Sequence, residues 1–170
     1  MTSVVSTSRS ARKQRESFEQ FDLALRVVGE EVQAVADQTK RVLMTELWSS
    51  IIQATPVDTG RTRNNWMITL DQPSLEFDMD KTGGDSNFNI YEGKAWINRN
   101  VRANGRRIHI TNNVHYAYGL ETGTHWYGFS RKAPSGMVRV SLVGGAVRTD
   151  RHINGIIRRW NGRTVGGRLR

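Results

Sequence analysis

The chain contains no cysteine, and it has few prolines and few aromatic residues. Only 3 of its 170 residues are proline, and 8% are aromatic. The missing cysteines exclude a disulfide framework and a cysteine-rich zinc site. The hydrophobic content of 37% is low. It predicts a modest core with extended arms, which is typical of a chain that finishes folding against neighbouring subunits.

Long apolar runs are missing as well. No stretch of the sequence approaches the roughly 20 apolar residues that a membrane-spanning helix needs. Residues 1–15 also lack the apolar centre of a secretory signal peptide. We therefore expect a soluble protein that is made in a cytoplasm, and its length suits one domain with a core of its own.

Acidic residues become scarce in the second part of the chain. Residues 1–98 carry 11 Lys and Arg against 14 Asp and Glu, a balance of −3, whereas residues 99–170 carry 14 against 2, a balance of +12. The two halves are therefore expected to contact different partners or each other. The basic half could bind nucleic acid phosphates or acidic surfaces of neighbouring subunits, or it could be a solvated face without a specific role.

An amphipathic helix is the clearest element that the sequence does contain. Apolar residues recur at alternating steps of about three and four over residues 17–53, which predicts a helix about 50 Å long with Gly29 as a candidate interruption. Its stripe consists of Phe21, Leu25, Val28, Val32, Val35, Val42 and Ile51, with Ala36, Leu43 and Leu47 beside them. A small domain cannot cover so long a helix. We therefore expect part of the stripe to pack on another subunit.

A turn follows the helix in the stretch TPVDTGRTRNNW, residues 55–66. Pro56 biases the residue before it away from helical angles and so ends the helix. Asp58, Thr59 and Gly60 supply an Asx-type hydrogen bond and a residue free to take positive φ. The next residues, WMITL, alternate as a half-buried strand does.

The remaining pattern predicts an α+β domain in which the long helix packs on a small antiparallel sheet of three or four strands. Residues 71–107 are interpreted as a variable hairpin or loop, residues 108–111 as a strand that ends in a turn at Asn112 and Asn113, and residues 137–143 as a further strand. The predicted domain spans residues 16–143. Residues 1–15 and 144–170 are interpreted as a flexible arm and a basic arm.

No catalytic or metal-binding pattern stands out. The histidines, which are His109, His115, His125 and His152, have no metal-ligand spacing and are expected to be hydrogen-bonded structural residues. The sequence also lacks the hydrolase elbow and the phosphate and dinucleotide loops. Two sites assembled in space remain alternatives: one from His109, His115 and Glu121, and a magnesium nuclease from Asp58, Asp85 and Glu121. We predict no catalytic residue, cofactor or metal.

Three segments in order carry a family resemblance. A helix that ends in TPVDTGRTRNNW (55–66), then ITNNVHYAYGLETGTH (110–125) and APSGMVRVSL (133–142), resembles the HK97 gp10-like family of tailed-phage proteins, whose members join head to tail or complete the tail. The likeness covers about residues 20–145. It rests on Pro56, Asp58, Thr59, Gly60, Asn113, Tyr116, Ala117, Glu121, Gly123, Thr124 and Pro134. Many members have Leu after the turn glycine, whereas this chain has Arg61 and Thr62, so the packing of that turn is expected to differ.

The resemblance implies a non-enzymatic structural protein in the neck or tail of a virion, synthesised in the host cytoplasm. It implies a closed ring, six subunits by family analogy, that contacts the head-tail connector and the tail-tube or tail-terminator proteins while DNA passes through. No membrane is involved. A basic nucleic-acid-binding protein is the alternative that the charge distribution leaves open.

Two groups of residues are candidates for contacts between subunits. Trp160 is predicted to anchor an interface together with Arg158 and Arg159, and the alternative is that Trp160 folds back on its own sheet. The other group is the set Arg99, Arg102, Arg106 and Arg107. These arginines could line a channel and meet DNA phosphates, but we expect most of them to face carboxylates of a neighbouring copy. The carboxylates proposed for this role are Glu30, Glu31, Asp78 and Asp80.

The turn residues also have two interpretations. They could serve as local scaffolding, or they could place surfaces that meet the adjacent subunit or ring.

Overall fold

The computed structural model describes residues 4–123 and 133–166, and it confirms the α+β fold class with one long helix and an antiparallel sheet. The elements in chain order are α1 (Val4–Ala54), α2 (Arg61–Asn64), β1 (Trp66–Leu70), α3 (Ser86–Asn100), β2 (Ile108–Asn112), α4 (Ala117–Thr122) and α5 (Val138–Gly166). The core lies where the second half of α1 meets α3 and the sheet.

Helix α1 is longer than the sequence pattern indicated. It runs for 51 residues without a break, which corresponds to about 76 Å. Gly29 does not interrupt it, and a Cβ placed at this position would have no neighbouring atom within 4 Å. Residues 4–15, interpreted from sequence as an irregular arm, continue the same helix, and residues 1–3 lie outside the described part.

The end of α1 is tied to the start of β1. The Thr55 hydroxyl donates to the carbonyl of Ile51 at 2.6 Å and accepts from the Trp66 indole at 2.8 Å. Arg63 donates to the Thr55 carbonyl at 3.1 Å. The helix ends at Ala54 and the strand begins at Trp66, so the predicted turn between them is confirmed.

The sheet consists of two antiparallel strands in the described chain, with Trp66 opposite Asn112 and Leu70 opposite Ile108. Its apolar side chains pack against one buried cluster. The cluster comprises Trp48, Ile52, Ile90, Ile97 and Val101, and the packing residues include Met44, Trp66, Ile68, Trp96, Ile108 and Ile110. The two predicted strands at residues 66–70 and 108–111 are therefore correct, and both cover α1 and α3.

The interpretation of residues 71–107 as hairpin or loop is wrong for residues 86–100, which form α3. The Asp85 carboxylate caps the helix by accepting from the amide of Asn87 at 2.9 Å. Ile90, Gly93 and Ile97 form the buried face. A glycine in the middle of that face interrupts the apolar period, which explains why the sequence pattern did not indicate a helix.

The predicted strand at residues 137–143 is also wrong, because α5 begins there. Val140 is 46% exposed and Leu142 is 53% exposed, so the apparent alternation does not mark one buried face. Residues 144–166 continue α5 and are helical, where the sequence indicated an irregular arm.

Residues 117–122 form the short helix α4, and the described sheet has two strands where three or four were predicted.

Candidate functional site

The arginine-rich loop (residues 101–107), which follows α3, is anchored to α1 through one carboxylate. Asp37 accepts a hydrogen bond from the backbone amide of Ala103 at 2.6 Å and lies 3.7 Å from the guanidinium of Arg102. It also accepts from Gln33 at 3.0 Å and from Arg41 at 3.4 Å. The Ala103 amide lowers the pKa of the Asp37 carboxyl, and its two arginine neighbours act in the same direction. Asp37 is therefore a charged carboxylate that binds several groups, and its side chain is only 16% exposed.

Two basic residues of α1 close the same loop by binding its carbonyl groups. The Lys40 ammonium donates to the carbonyls of Arg102 at 3.0 Å and Arg106 at 2.9 Å. The Arg41 guanidinium donates to the carbonyl of Val101 at 3.1 Å. These bonds satisfy backbone groups that follow the end of α3, and they hold the arginine-rich loop against its own subunit.

Two of the four arginines that were predicted to pair with carboxylates do so within their own chain. Arg106 pairs with Asp71 at 2.6 Å, and Arg102 pairs with Asp37. Both partners belong to the same chain, and contacts with Glu30, Glu31, Asp78 and Asp80 of a neighbouring copy stay a prediction. Arg99 donates to the carbonyl of Ala95 at 3.2 Å within its helix, and Arg107 is exposed.

Helix α5 is joined to α1 by a second set of charges. Arg148 bonds to the Ser50 hydroxyl and lies 3.7 Å from the Glu46 carboxylate. His152 lies 3.9 Å from the other oxygen of Glu46. The basic and acidic halves of the sequence thus face each other inside one chain at three places: Asp37, Asp71 and Glu46.

Glu121, a residue of the second motif segment, caps α5. Its carboxylate accepts from the backbone amides of Met137 at 2.6 Å, Val138 at 2.8 Å and Arg139 at 3.0 Å. The side chain of Arg139 donates back to the Glu121 carbonyl at 2.8 Å. Three orphan amides at a helix start are thereby satisfied by a carboxylate that also complements the helix dipole. The third motif segment is held to the second by this cap.

The charge state of Glu121 follows from this geometry. Burial raises the pKa of the carboxyl, but the three amides and Arg139 outweigh it, so the pKa is lowered below its ordinary value of 4.5. A lowered folded-state pKa gives a stabilisation that is complete above the ordinary pKa. That stabilisation is lost as the pH falls through the lowered value.

We expect Glu121→Ala to lower the free energy of unfolding by about 2 kcal/mol near pH 7, because three amides at the start of α5 lose their acceptor. Glu121→Gln should cost about 1 kcal/mol, since one oxygen remains. Urea titrations at pH 7 and at pH 3 measure both. The difference in free energy of unfolding between wild type and Glu121→Gln should be smaller at pH 3 than at pH 7. A difference of equal size at both pH values would contradict the role of the charge.

Asp37 supports a second prediction, on the position of the arginine-rich loop. Asp37→Ala removes the acceptor of the Ala103 amide, so that amide should exchange with solvent at least about 10-fold faster as the loop opens locally. Stability should fall by about 1 kcal/mol. Glu30→Ala, an exposed substitution on the same helix, is the control and should change neither value. Unchanged exchange at Ala103 would show that the loop does not need Asp37.

The first motif segment forms a close backbone crossing. Gly60 has φ 83°, and a Cβ on it would lie 2.1 Å from the carbonyl oxygen of Gly83. The Gly83 amide donates to the Thr59 carbonyl at 2.6 Å, and the Asn64 side chain donates to the Gly83 carbonyl at 2.8 Å. Asp58 and Pro56 lie beside this crossing, and Asp58 is exposed. The turn therefore holds the segment before α3 in place.

The second motif segment supports the acidic stretch that follows β1. The side-chain amide of Asn113 donates to the backbone carbonyls of Ser74 at 2.8 Å and Glu76 at 2.9 Å. Ala117 is buried, and Tyr116 makes an edge-on ring contact with His115 at 4.9 Å.

The remaining motif positions are glycine, proline and threonine. Gly123 ends α4 with φ 67°, and Pro134 is exposed. Thr124 lies outside the described residues. The position of Gly123 at the end of α4 is consistent with local scaffolding, one of the two interpretations drawn from the sequence.

The candidate interface residues lie on α5. Arg158 and Arg159 are exposed, and Trp160 is half-buried. Trp160 is thus partly covered within its own chain, and the element that carries it is a helix. Its role as an interface anchor and the alternative of a fold-back on its own sheet both stay predictions.

The metal and nuclease alternatives gain no geometric basis in the described part of the chain, where no three His, Asp or Glu side chains form a group that could hold a metal ion. Asp85 and Glu121 are each engaged in capping a helix. His125 lies outside the described residues. Within the same residues, no helix has the length and apolar character to span a bilayer.

Comparison of the chain with protein-family models, with curated proteins and with solved structures gives no match in any of the three searches. The geometry of the chain and the motif resemblance are therefore the basis for a functional hypothesis.

Proposed function

We propose that this chain is a structural virion protein of a tailed bacteriophage, a subunit of the neck or tail that joins head to tail or completes the tail. One observation carries the proposal: each of the three motif segments stabilises a crossing between distant parts of the chain. Gly60 packs against the Gly83 carbonyl, the Asn113 side chain donates hydrogen bonds to residues 74 and 76, and Glu121 caps α5. These motif residues connect distant parts of the described chain, which supports a structural role.

Uncovered apolar surface supports a role in assembly. Phe18 is 73% exposed and Phe21 is 62% exposed on a part of α1 that no other described element covers. Apolar side chains concentrated in this way mark protein contact surfaces. A chain with such a surface is suited to a particle in which neighbouring proteins cover it.

The proposed assembly is a closed ring, six subunits by family analogy, with an axial hole through which DNA passes. Identical head-to-tail contacts produce a ring when the rotation closes. Each interface should bury at least about 1,000 Å². The partners proposed on the two sides are the head-tail connector and the tail-tube or tail-terminator proteins.

A basic nucleic-acid-binding protein is the second candidate, favoured by the exposed Arg151, Arg158 and Arg159 of α5. The pairing of Arg102, Arg106 and Arg148 with carboxylates of the same chain reduces the charge left for phosphates. We therefore propose that the free protein binds DNA weakly and without sequence preference. Its affinity should fall steeply with salt through counterion release.

The decisive experiment is made in a phage that encodes the chain. Particles assembled without the protein should accumulate as separate heads and tails, and wild-type protein supplied in trans should restore joined, infectious virions. A salt titration of DNA binding by the purified chain runs in parallel. Joined virions in its absence would refute the structural proposal, and tight, sequence-dependent DNA binding would favour the second candidate.

A further inference from the structure

The segment that follows β1 has an open backbone edge, which we call the acidic edge (residues 74–78). Side-chain amides of Asn65 and Asn113 bind backbone groups of its even-numbered residues. Alternate residues thus direct their polar backbone groups to the same side, as a β-strand does. The amides and carbonyls of the odd-numbered residues, Leu75 and Phe77, lie on the other side and have no hydrogen-bond partner among the described residues.

The side chains of the acidic edge alternate between apolar and acidic. Leu75 is 85% exposed and Phe77 is 52% exposed. Glu76 and Asp78 are exposed as well, and neither forms an ion pair with another described residue. An open strand edge is a template for pairing with another chain. The acidic edge therefore fits an added strand in which basic and apolar residues alternate.

Strand β2 has an open edge of that kind, which we call the basic edge (residues 107–110). The Asp71 amide donates to the Arg107 carbonyl at 2.8 Å, in line with the pairing of β1 and β2. Since hydrogen-bonded and non-hydrogen-bonded pairs alternate in an antiparallel ladder, the backbone groups of Ile108 and Ile110 point away from β1. They have no partner in the described chain, and of the described helices and strands only β1 runs alongside β2.

The side chains of the basic edge alternate in the complementary way. Ile108 and Ile110 pack against the buried cluster on one face of the sheet. Arg107 and His109 belong to the opposite face. Arg107 is exposed, and its guanidinium forms no ion pair with the residues that the structure describes.

We propose that the acidic edge of one copy pairs in antiparallel orientation with the basic edge of a second copy. The two-stranded sheet of the second copy then gains a third strand from its neighbour. Phe77 lies opposite Ile108 in this pairing, and Leu75 lies opposite Ile110. Because all four residues have outward-facing backbone groups, both pairs form backbone hydrogen bonds, and the two apolar side chains of the acidic edge extend the apolar face of the sheet.

Charge selects the same register. Asp78 faces Arg107 in a non-hydrogen-bonded pair, where side chains approach most closely. Opposite charges directly across two strands stabilise the pairing. A register shifted by two residues would place Phe77 opposite Arg106, which already pairs with Asp71 of its own chain.

The pairing joins two copies and cannot form within one chain. The Asp78 amide is bound by Asn65, just before β1, whereas the Arg107 carbonyl is bound by Asp71, just after β1. Residues 65 and 71 are six positions apart along the strand, which corresponds to about 20 Å at roughly 3.3 Å per residue. Two different surfaces meet, so the repeated contact builds a ring or an open chain of copies. The proposal rests on the proposed function only for the closure of a ring.

Single cysteines test the pairing, because the natural chain has none. Asp78→Cys and Arg107→Cys replace exposed side chains, so both variants should fold. Mixed at about 100 μM, where weak contacts are populated, and oxidised, they should give a mixed disulfide dimer. Neither variant alone should dimerise through its cysteine. A chain that carries both cysteines should form a ladder of covalent oligomers, since the two positions are about 20 Å apart within one copy.

Arg107→Cys mixed with Glu30→Cys is the control, because Glu30 is also acidic and exposed but lies on α1. This mixture should crosslink much less than the mixture with Asp78→Cys. Equal crosslinking in both mixtures, or none in either, would overturn the proposal. If heads and tails still depend on the protein in that case, the proposed function stands and only this interface is rejected.

Charge reversal tests the chemistry of the contact. Asp78→Arg should weaken self-association at least about 10-fold in sedimentation velocity, because like charges then meet across the strands. Arg107→Asp should weaken it similarly, and the double variant should recover most of the association. Asp150→Arg, the same charge change at an exposed position of α5, is the matched control and should have the smallest effect. A loss that the double variant does not recover would refute the pairing of these two residues.

Discussion

Replacing Gly60 by alanine is expected to lower the free energy of unfolding by about 3–5 kcal/mol. Two costs add. The residue has φ 83°, where a side chain costs about 1–2 kcal/mol. The new Cβ would also lie 2.1 Å from the Gly83 oxygen, so the backbone crossing must open and lose the bond from the Gly83 amide to the Thr59 carbonyl.

Gly105→Ala is the control that separates the two costs. Gly105 has φ 78°, close to that of Gly60, but a Cβ on it would have no neighbouring atom within 4 Å. The urea midpoint should fall about two to three times as far for Gly60→Ala as for Gly105→Ala. Equal shifts would mean that the crossing at Gly83 contributes nothing beyond backbone strain.

Local signals predicted the parts of the fold that depend on local chemistry. The turn at Pro56 and the strand at Trp66 were found because proline, glycine and alternating apolar residues act over a few positions. The long helix was found from its period, and only its N-terminal extension was missed. Residues 4–15 carry no apolar period, so their helical state could not be distinguished from an irregular arm.

The errors occur where contacts distant in sequence decide the structure. Helix α3 was missed because its buried face has a glycine where Trp48 of α1 fits. The sequence predicts a strand at the start of α5 because β-branched residues begin it, whereas the helix start is set by Glu121, which lies 16 residues before the first capped amide. Propensity is a weak prior, and tertiary contacts of this kind override it.

The same reasoning applies to the candidate site. Asp37, Asp71 and Glu46 were not singled out from the sequence, although the opposite charge balance of the two halves indicated that they could face each other. Charge balance predicts that acidic and basic surfaces meet. It does not predict which carboxylate meets which arginine, because that pairing depends on the packing of α1 against α5 and the loop after α3.

The contact between α1 and α3 leads to the second large effect. Gly93 lies on the buried face of α3, and a Cβ there would lie 2.0 Å from the indole nitrogen of Trp48 and 2.2 Å from the next ring carbon. Trp48 is only 4% exposed, and its indole donates to the Asn89 carbonyl at 3.0 Å. The ring therefore cannot move aside without breaking a hydrogen bond and repacking the core cluster.

Gly93→Ala should lower the free energy of unfolding by about 3 kcal/mol. Overpacking a closed core costs about 1–3 kcal/mol or more, and loss of the indole hydrogen bond adds about 1 kcal/mol. The better helix propensity of alanine offsets about 1 kcal/mol of this loss. Gly29→Ala in the exposed part of α1 isolates this last effect and should stabilise the helix by up to about 1 kcal/mol, since no atom lies within 4 Å of the added Cβ. Thermal and urea unfolding of the two variants should therefore shift in opposite directions, and a stabilised Gly93→Ala protein would show that α3 does not pack on Trp48 as described.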